Sequence, residues 1–358
     1  MAENTGRWLS RDATELAHRL ASDTDEAADC DVLIVGSGYG GAVAAARMAG
    51  CALEGTDRPA RVWVLERGLE YLPGRFPRRF SELPGHVRFS HQDDRPARGR
   101  AEGLLDWRLG DQVHVLLANG LGGGSLINAG VMAQPDDAVF AQGWPHGITA
   151  ASMAPWYGRA LADLQPAEVP EPAPPKFAAL QALARARGAE AVRASVTIAF
   201  QDRAATADTP ALQACTACGD CMTGCNQGAK RSLDTTHLAQ AWRRGAELFC
   251  GVTVTRLEPS PCEGAPWQVV WQFTDPALRD GAGETWVVRA RHVVLAAGTL
   301  GSTELLLRSR SERFQLSPRL GARFSTNGDM LAAVHRQEPG VNAVADQETD
   351  PGQHGRNV

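Results

Sequence analysis

The stretch Cys30–Asp31–Val32–Leu33–Ile34–Val35–Gly36–Ser37–Gly38–Tyr39–Gly40–Gly41–Ala42 decides how this chain is read. Its apolar run, Val32–Val35, suits a strand buried on both faces of a parallel sheet. Glycines at 36, 38 and 41 follow, and then a small-residue helix, Ala42–Met48. Gly36 suits a tight turn, Gly38 the close approach of backbone to a diphosphate, and Gly41 the packing of helix on strand. The N-terminus of a helix offers unpaired N–H groups and the positive end of a dipole, and both favour a diphosphate. A second strand, Arg61–Leu65, ends in Glu66, the acidic residue expected to bind a ribose hydroxyl. Its distance from the glycines exceeds the usual ~20 residues, and the loop Cys51–Ala60 absorbs the excess. Strand before and helix after give the pattern the context of a dinucleotide site.

Working outward, 358 residues suffice for two domains or one large one. A hydrophobic content of 44% is that of a folded protein. No apolar run approaches the ~18 residues of a membrane span. The first twenty residues lack an apolar signal core, so the expected location is cytoplasmic. A net charge of −5 argues against nucleic acid as the main partner. Lysine occurs only at 176 and 230, which reads as a coding bias and not as phosphate-binding design.

Residues 1–28 read as a leader with one helix, Ala13–Leu20. Residues 29–165 read as the first part of the dinucleotide domain. Within it, Tyr71–Arg100 reads as an irregular loop, with His86 and His91 as surface residues. An apolar strand, Val113–Leu117, then leads into Asn119–Gly120–Leu121–Gly122–Gly123–Gly124–Ser125–Leu126–Ile127–Asn128–Ala129–Gly130. Three consecutive glycines leave the backbone open to a large flat ligand, and Ser125 and Asn128 add donors for phosphate or ring heteroatoms. A helix over Ala151–Leu164 precedes residues 166–233, which hold a Pro-rich linker, a helix at Phe177–Arg187, a strand at Ser195–Phe200 and a cysteine run.

Residues 234–310 return to the first domain. A helix (Asp234–Arg244) and strands at Glu247–Cys250 and Val252–Leu257 come first. Strands at Trp267–Phe273 and Glu284–Arg289 complete an inserted β-meander. A last buried strand, His292–Ala296, enters Ala297–Gly298–Thr299 and a helix, Thr303–Ser309. Residues 311–358 read as the beginning of a further, truncated domain.

The run Cys215–x–x–Cys218–x–x–Cys221–x–x–x–Cys225 has the spacing of a bacterial ferredoxin loop. Clustering without a secretion signal favours metal or redox chemistry over disulfides. Asn226 stands where ferredoxins have Pro, and no second run is present to share the fourth cysteine. One [4Fe–4S] cluster would need all four local thiols, or a distant one such as Cys250. The reading leaves three outcomes open: an iron–sulfur cluster, zinc, or no metal.

The strings DVLIVGSGYGGAV (31–43) with VWVLERG (62–68), GLGGGSLINAG (120–130) and VVLAAGTLGSTELLLRS (293–309) resemble the glucose–methanol–choline (GMC) flavin oxidoreductases. Within that family the likeness is strongest to the cholesterol oxidase branch, on Gly38–Tyr39–Gly40, GGGSLIN, GSTELLLR and Asn327–Gly328. It covers about residues 29–330. The resemblance implies an α/β fold: an FAD-binding, Rossmann-like parallel sheet with an inserted β-meander, plus the start of a substrate domain. It places FAD against Gly36, Gly38, Tyr39, Gly40 and Gly41 (diphosphate), Glu66 (ribose) and the Val254 backbone (adenine). Gly122, Gly123, Gly124, Ser125, Asn128 and Ala129 would follow the diphosphate and flavin ring, and Gly298 would close a second phosphate-side turn. Some relatives attach the flavin through a histidine just before the Asn; here that residue is Ile127, so the FAD is expected to be non-covalent.

The implied chemistry is oxidation of the CH–OH group of a hydrophobic, sterol-like alcohol, with hydride passing to flavin and a base taking the hydroxyl proton. The family's late His–His or His–Asn pair has no counterpart, and His335, Glu338 and His354 lack its context, so no catalytic residue is assigned. The chain therefore reads as the FAD-binding portion of such an enzyme. Two alternatives stand beside that reading: an iron–sulfur flavin dehydrogenase passing electrons to an acceptor partner, and an inactive FAD-binding fragment. A nicotinamide dehydrogenase fits the first motif but gives no role to the second and third glycine turns.

Overall fold

A computed structural model describes residues 9–22, 27–91, 96–141, 143–281 and 284–327. His335, Glu338, His354 and Gly328 lie outside them, as does most of the expected further domain. In chain order the strands are β1 (Ser10–Asp12), β2 (Cys30–Val35), β3 (Val62–Glu66), β4 (Val87–His91), β5 (Arg98–Gly99), β6 (Leu105–Leu109), β7 (His114–Ala118), β8 (Glu247–Cys250), β9 (Val252–Pro259), β10 (Trp267–Phe273) and β11 (Trp286–Leu295). The α-helices are α1 (Ala13–Ala21), α2 (Tyr39–Met48), α3 (Ala150–Leu164), α4 (Pro175–Ala186), α5 (His237–Arg243) and α6 (Gly298–Arg308).

The principal sheet runs β1-β8-β3-β2-β11-β10-β9. Its pairs from β1 to β11 are parallel and its last two are antiparallel. Alternation along the strands explains the layers. Leu33 and Val35 of β2 and Trp63 and Leu65 of β3 join a core with α1, β9 and β10. Val32, Ile34, Val62 and Val64 point to the opposite core, filled by the alanines of α2 and by Leu238 of α5. Both faces are covered, as continuous apolar runs in parallel strands require.

Several local readings change. The helix after the first glycines begins at Tyr39, not Ala42. Residues 10–21 of the expected leader are part of the folded core: β1 pairs with β8, and Leu16 of α1 is fully buried against the sheet. The expected loop Tyr71–Arg100 carries β4 and β5 of a second sheet, ordered β5-β4-β6-β7, because β4 pairs with β6, a strand the sequence did not announce. Last, the meander strand and the buried strand read separately are one strand. The first half of β11 pairs with β10 and its second half with β2, so the meander continues the main sheet. Ser195–Phe200 forms only isolated bridges, at Val196 and Ile198.

A buried carboxylate, Asp31, fastens these pieces. Asp31 accepts hydrogen bonds from Arg58 Nη1 at 2.6 Å and Nη2 at 2.9 Å, and from the Arg61 backbone N–H at 2.8 Å. Burial by itself would raise its pKa, but the bonds and charges of Arg58 and Arg61 outweigh that and hold it at about 2. A carboxylate whose folded pKa lies below its unfolded value stabilises the fold above the unfolded value, and loses that contribution as pH falls through the folded one. The window here is from about 3.8 down to about 2. We expect the urea midpoint to fall across that window, and Asp31→Asn to flatten the fall; equal slopes in the two proteins would remove Asp31 from the account.

Candidate functional site: three glycine turns at the strand ends

The turn after β2, the turn after β7 and the turn after β11 meet at one end of the main sheet. Gly36 has φ +97°, and a Cβ there would lie 2.5 Å from the Ala296 carbonyl oxygen, in the turn after β11. A Cβ on Gly123, in the turn after β7, would lie 2.7 Å from Gly38 Cα. A Cβ on Gly41 would lie 1.9 Å from the Gly36 carbonyl oxygen, which is the close packing of helix on strand that the motif demands. These absences of side chains are required by the protein itself.

A second set is not. Gly38 has an ordinary φ of −66°, open to any residue, and a Cβ on it would meet no protein atom within 4 Å. Gly124 likewise faces open space, and so does Gly298, although its left-handed φ of +75° favours glycine on its own account. Together with exposed Gly40 and Ala129, they border an open trough over the N-terminus of α2. The first N–H groups of α2 have no intrahelical acceptor, since none precedes them in the helix. Shape and polarity therefore fit a diphosphate-bearing cofactor laid across the turns.

Hydrogen bonds hold the turns in register. Ser37 Oγ donates to Glu66 Oε2 at 2.5 Å and accepts the Gly122 N–H at 3.0 Å. Glu66 Oε2 also accepts the Ser37 N–H at 3.1 Å, and Oε1 accepts the Gly68 N–H at 2.9 Å. Asn128 Nδ2 donates to the Tyr39 hydroxyl at 2.8 Å, tying the second turn to α2. Ser37 carries no ligand-binding signal in the sequence, yet it is the joint between the first two turns.

One expected contact is corrected. Ser125 is 2% exposed; its hydroxyl donates to the Gly122 carbonyl at 2.7 Å and accepts the Leu233 N–H at 3.0 Å. It shapes the loop and has no free hydroxyl to offer a phosphate. Gly122, with φ +111° and its N–H bonded to Ser37, is also a turn-former. Val254 lies in β9, whose only strand partner among the described residues is β10, so one edge of its backbone is left unpaired by any described strand.

Behind the trough, Arg67 links β3 to the second sheet. Its guanidinium reaches Asp106 Oδ2 at 2.6 Å and Asn119 Oδ1 at 2.8 Å. Asp106 is fully buried and also receives Arg88 at 2.6 Å and Arg108 at 3.0 Å. Its burial works to raise the pKa; the three arginines prevail and lower it.

The four clustered cysteines lie on the other side of the second turn. Cys215, Cys218, Cys221 and Cys225 are free thiols bordering one pocket. Among the described residues no group of three or more His, Cys, Asp or Glu side chains is placed to hold a single metal ion. Lys230, 2% exposed, donates from Nζ to the carbonyls of Leu126 at 3.1 Å and Cys221 at 3.0 Å, and to that of Asn128. Sequence reasoning passed over it; its one signal was that this chain has only two lysines.

A parallel sheet whose strand ends carry glycine turns over a helix N-terminus defines a dinucleotide-binding α/β protein. More narrowly, the chain belongs to the GMC oxidoreductases: the family's profile matches residues 30–326. It is 26% identical over 330 residues to a cholesterol oxidase of Acinetobacter baumannii, covering 86% of this chain and 55% of that protein. It is 29% identical over 371 residues to a cholesterol oxidase of Mycobacterium tuberculosis (strain ATCC 25618 / H37Rv), covering 92% of this chain and 59% of that one. The chain thus spans a little over half the length of these relatives. Among solved structures, pyridoxine 4-oxidase from Mesorbium loti superposes with a TM-score of 0.45 at 17% identity, over 78% of this chain and 52% of that one. No described helix is long and apolar enough to cross a membrane.

Proposed function

We propose that this chain is the FAD-binding portion of a GMC oxidoreductase that oxidises the CH–OH group of a hydrophobic, sterol-like alcohol. The observation that carries the reading is the open position at Gly38, where a side chain would meet no protein atom. FAD supplies the acceptor for the hydride leaving the alcohol carbon. The chain's own residues bind and orient it. The N–H groups at the start of α2 and the bare backbone of Gly38, Tyr39 and Gly40 take the diphosphate. Glu66 keeps lone pairs for ribose hydroxyls while bracing Ser37, and the free edge at Val254 meets the adenine. Gly123, Gly124, Asn128 and Ala129 run along the flavin side, with Gly298 closing the trough from α6.

The likeness to two cholesterol oxidases supports a sterol-like substrate in this reading. A cytoplasmic location is part of the same proposal.

The test is binding. Incubated with FAD and passed through a desalting column, the chain should emerge yellow with about one flavin each, and acid should leave all of the flavin in the supernatant. A colourless protein would overturn the reading; flavin precipitating with the polypeptide would overturn non-covalent attachment, which rests on Ile127 standing where a linking histidine would be.

A further inference from the structure

The cysteine loop is built more elaborately than four free thiols need. Between the cysteines the backbone turns left-handed three times, at Ala217 (φ 57°), Gly219 (φ 85°) and Gly224 (φ 111°). Ala217 adopts it without glycine's freedom, an arrangement that costs of order 1 kcal/mol. Left-handed residues set among ordinary ones turn successive N–H groups inward, forming the concave nest that receives anions and iron–sulfur clusters. One N–H of the loop does point at sulfur, Ala217 N–H at 3.3 Å from Cys215 Sγ, and just after the loop Ala229 N–H lies 3.4 Å from Cys225 Sγ.

The charge at the loop is the second observation. Lys230 is a buried ammonium, and its three hydrogen bonds go to neutral carbonyls. Removing an ammonium from water costs several kcal/mol unless opposite charge compensates it. No ion pair joins Lys230 to a carboxylate among the described residues, and it lines one pocket with all four clustered cysteines. Thiolates bound there would bring negative charge beside the buried ammonium.

A single ion would need its thiolates gathered about one point at ~2.3 Å, and the described residues offer no such group. A cluster removes that demand, because each thiolate bonds a different iron. We propose that Cys215, Cys218, Cys221 and Cys225 together ligate one [4Fe–4S] cluster, for which Lys230 is the buried countercharge. In assembly each thiol releases its proton to solvent as its sulfur bonds one iron. Two ferrous and two ferric ions with inorganic sulfide make up the core, so no further oxidant enters. Four thiolates on that core leave the whole net negative, beside the one buried ammonium. Lys230 also bonds the Leu126 and Asn128 carbonyls, so the cluster would sit against the second glycine turn. The proposal stands on the cysteine loop and not on the FAD reading.

The experiment uses the whole chain, handled without oxygen and supplied with equal ferrous and ferric iron and with sulfide. After desalting we expect about four irons and as many acid-labile sulfides per chain, and a brown absorption that dithionite bleaches. Cys221→Ala should lose at least half of the iron, while Cys262→Ala, at an exposed thiol elsewhere, should lose none. Lys230→Gln should lower the midpoint potential of any cluster retained, because a nearby cation favours the reduced, more negative form. Bound FAD is counted separately in each sample, which distinguishes loss of the cluster from failure of the flavin site. Trace iron in the unaltered chain, or equal losses from Cys221→Ala and Cys262→Ala, would overturn the proposal.

Discussion

Gly38→Val should weaken FAD binding by a factor of about 100 or more, equivalent to some 2.7 kcal/mol, while leaving the apo protein folded. The backbone at Gly38 already has φ −66° and an extended ψ of −168°, a conformation that valine favours. The added side chain touches no protein atom, because nothing lies within 4 Å of the Cβ position. It enters only the space where backbone should face diphosphate. The loss of a good helix N-cap costs the apo protein about 1 kcal/mol. Gly36→Ala is the control with the opposite expectation. Its Cβ would lie 2.5 Å from the Ala296 oxygen in a left-handed residue, so this variant should fail to fold well even without ligand. Flavin titration and thermal melting of both variants check the pair. Unchanged affinity in Gly38→Val would place the diphosphate elsewhere.

The second large effect is structural. Asp106→Ala should cost about 3 kcal/mol, the lower end of what breaking a buried ion pair costs. The lower end applies because Arg67, Arg88 and Arg108 keep 26%, 18% and 21% of their side-chain surface and can partly hydrate. Without Asp106 the three guanidinium groups repel one another across the joint between β3 and the second sheet. Arg108 retains Glu304 at 3.2 Å, whereas Arg67 retains only the Asn119 oxygen among its bonded partners in the second sheet. Amide exchange in β4, β6 and β7 should therefore rise more than in β2 and β3. Uniform acceleration across both sheets would show that the two unfold as one unit. A change in melting below about 1 kcal/mol would remove the network from the list of major supports.

The two variants test different links of one chain of cause. Gly38 is proposed to face the ligand, and its substitution is read in binding. Asp106 belongs to the frame that holds the second glycine turn beside the first, and its substitution is read in stability first and in flavin affinity second.

Much of this was legible along the chain because it depends on neighbours in sequence. Strand, glycine turn and helix are contiguous at 30–48, so apolar run and turn residues together fixed β2, the position of the cradle and the place of α2. The same locality made β8, β9 and β10 readable from alternation alone, and it made the cysteine spacing visible. What required the folded chain was everything set by partners far away. The strand β4 exists because β6 lies beside it, and a short mixed-polarity segment gives no sign of such pairing beforehand. Ser125 and Glu66 look alike on paper as polar residues near glycines, yet one spends its hydroxyl on Gly122 and Leu233 while the other braces Ser37 with lone pairs to spare. Lys230 reads as one basic residue among many; only burial under three carbonyls gives it a role. Sequence determined where backbone could be bare, since that follows from residue type. Tertiary structure decided which bare positions serve packing and which face a ligand, since that depends on what stands opposite each missing Cβ.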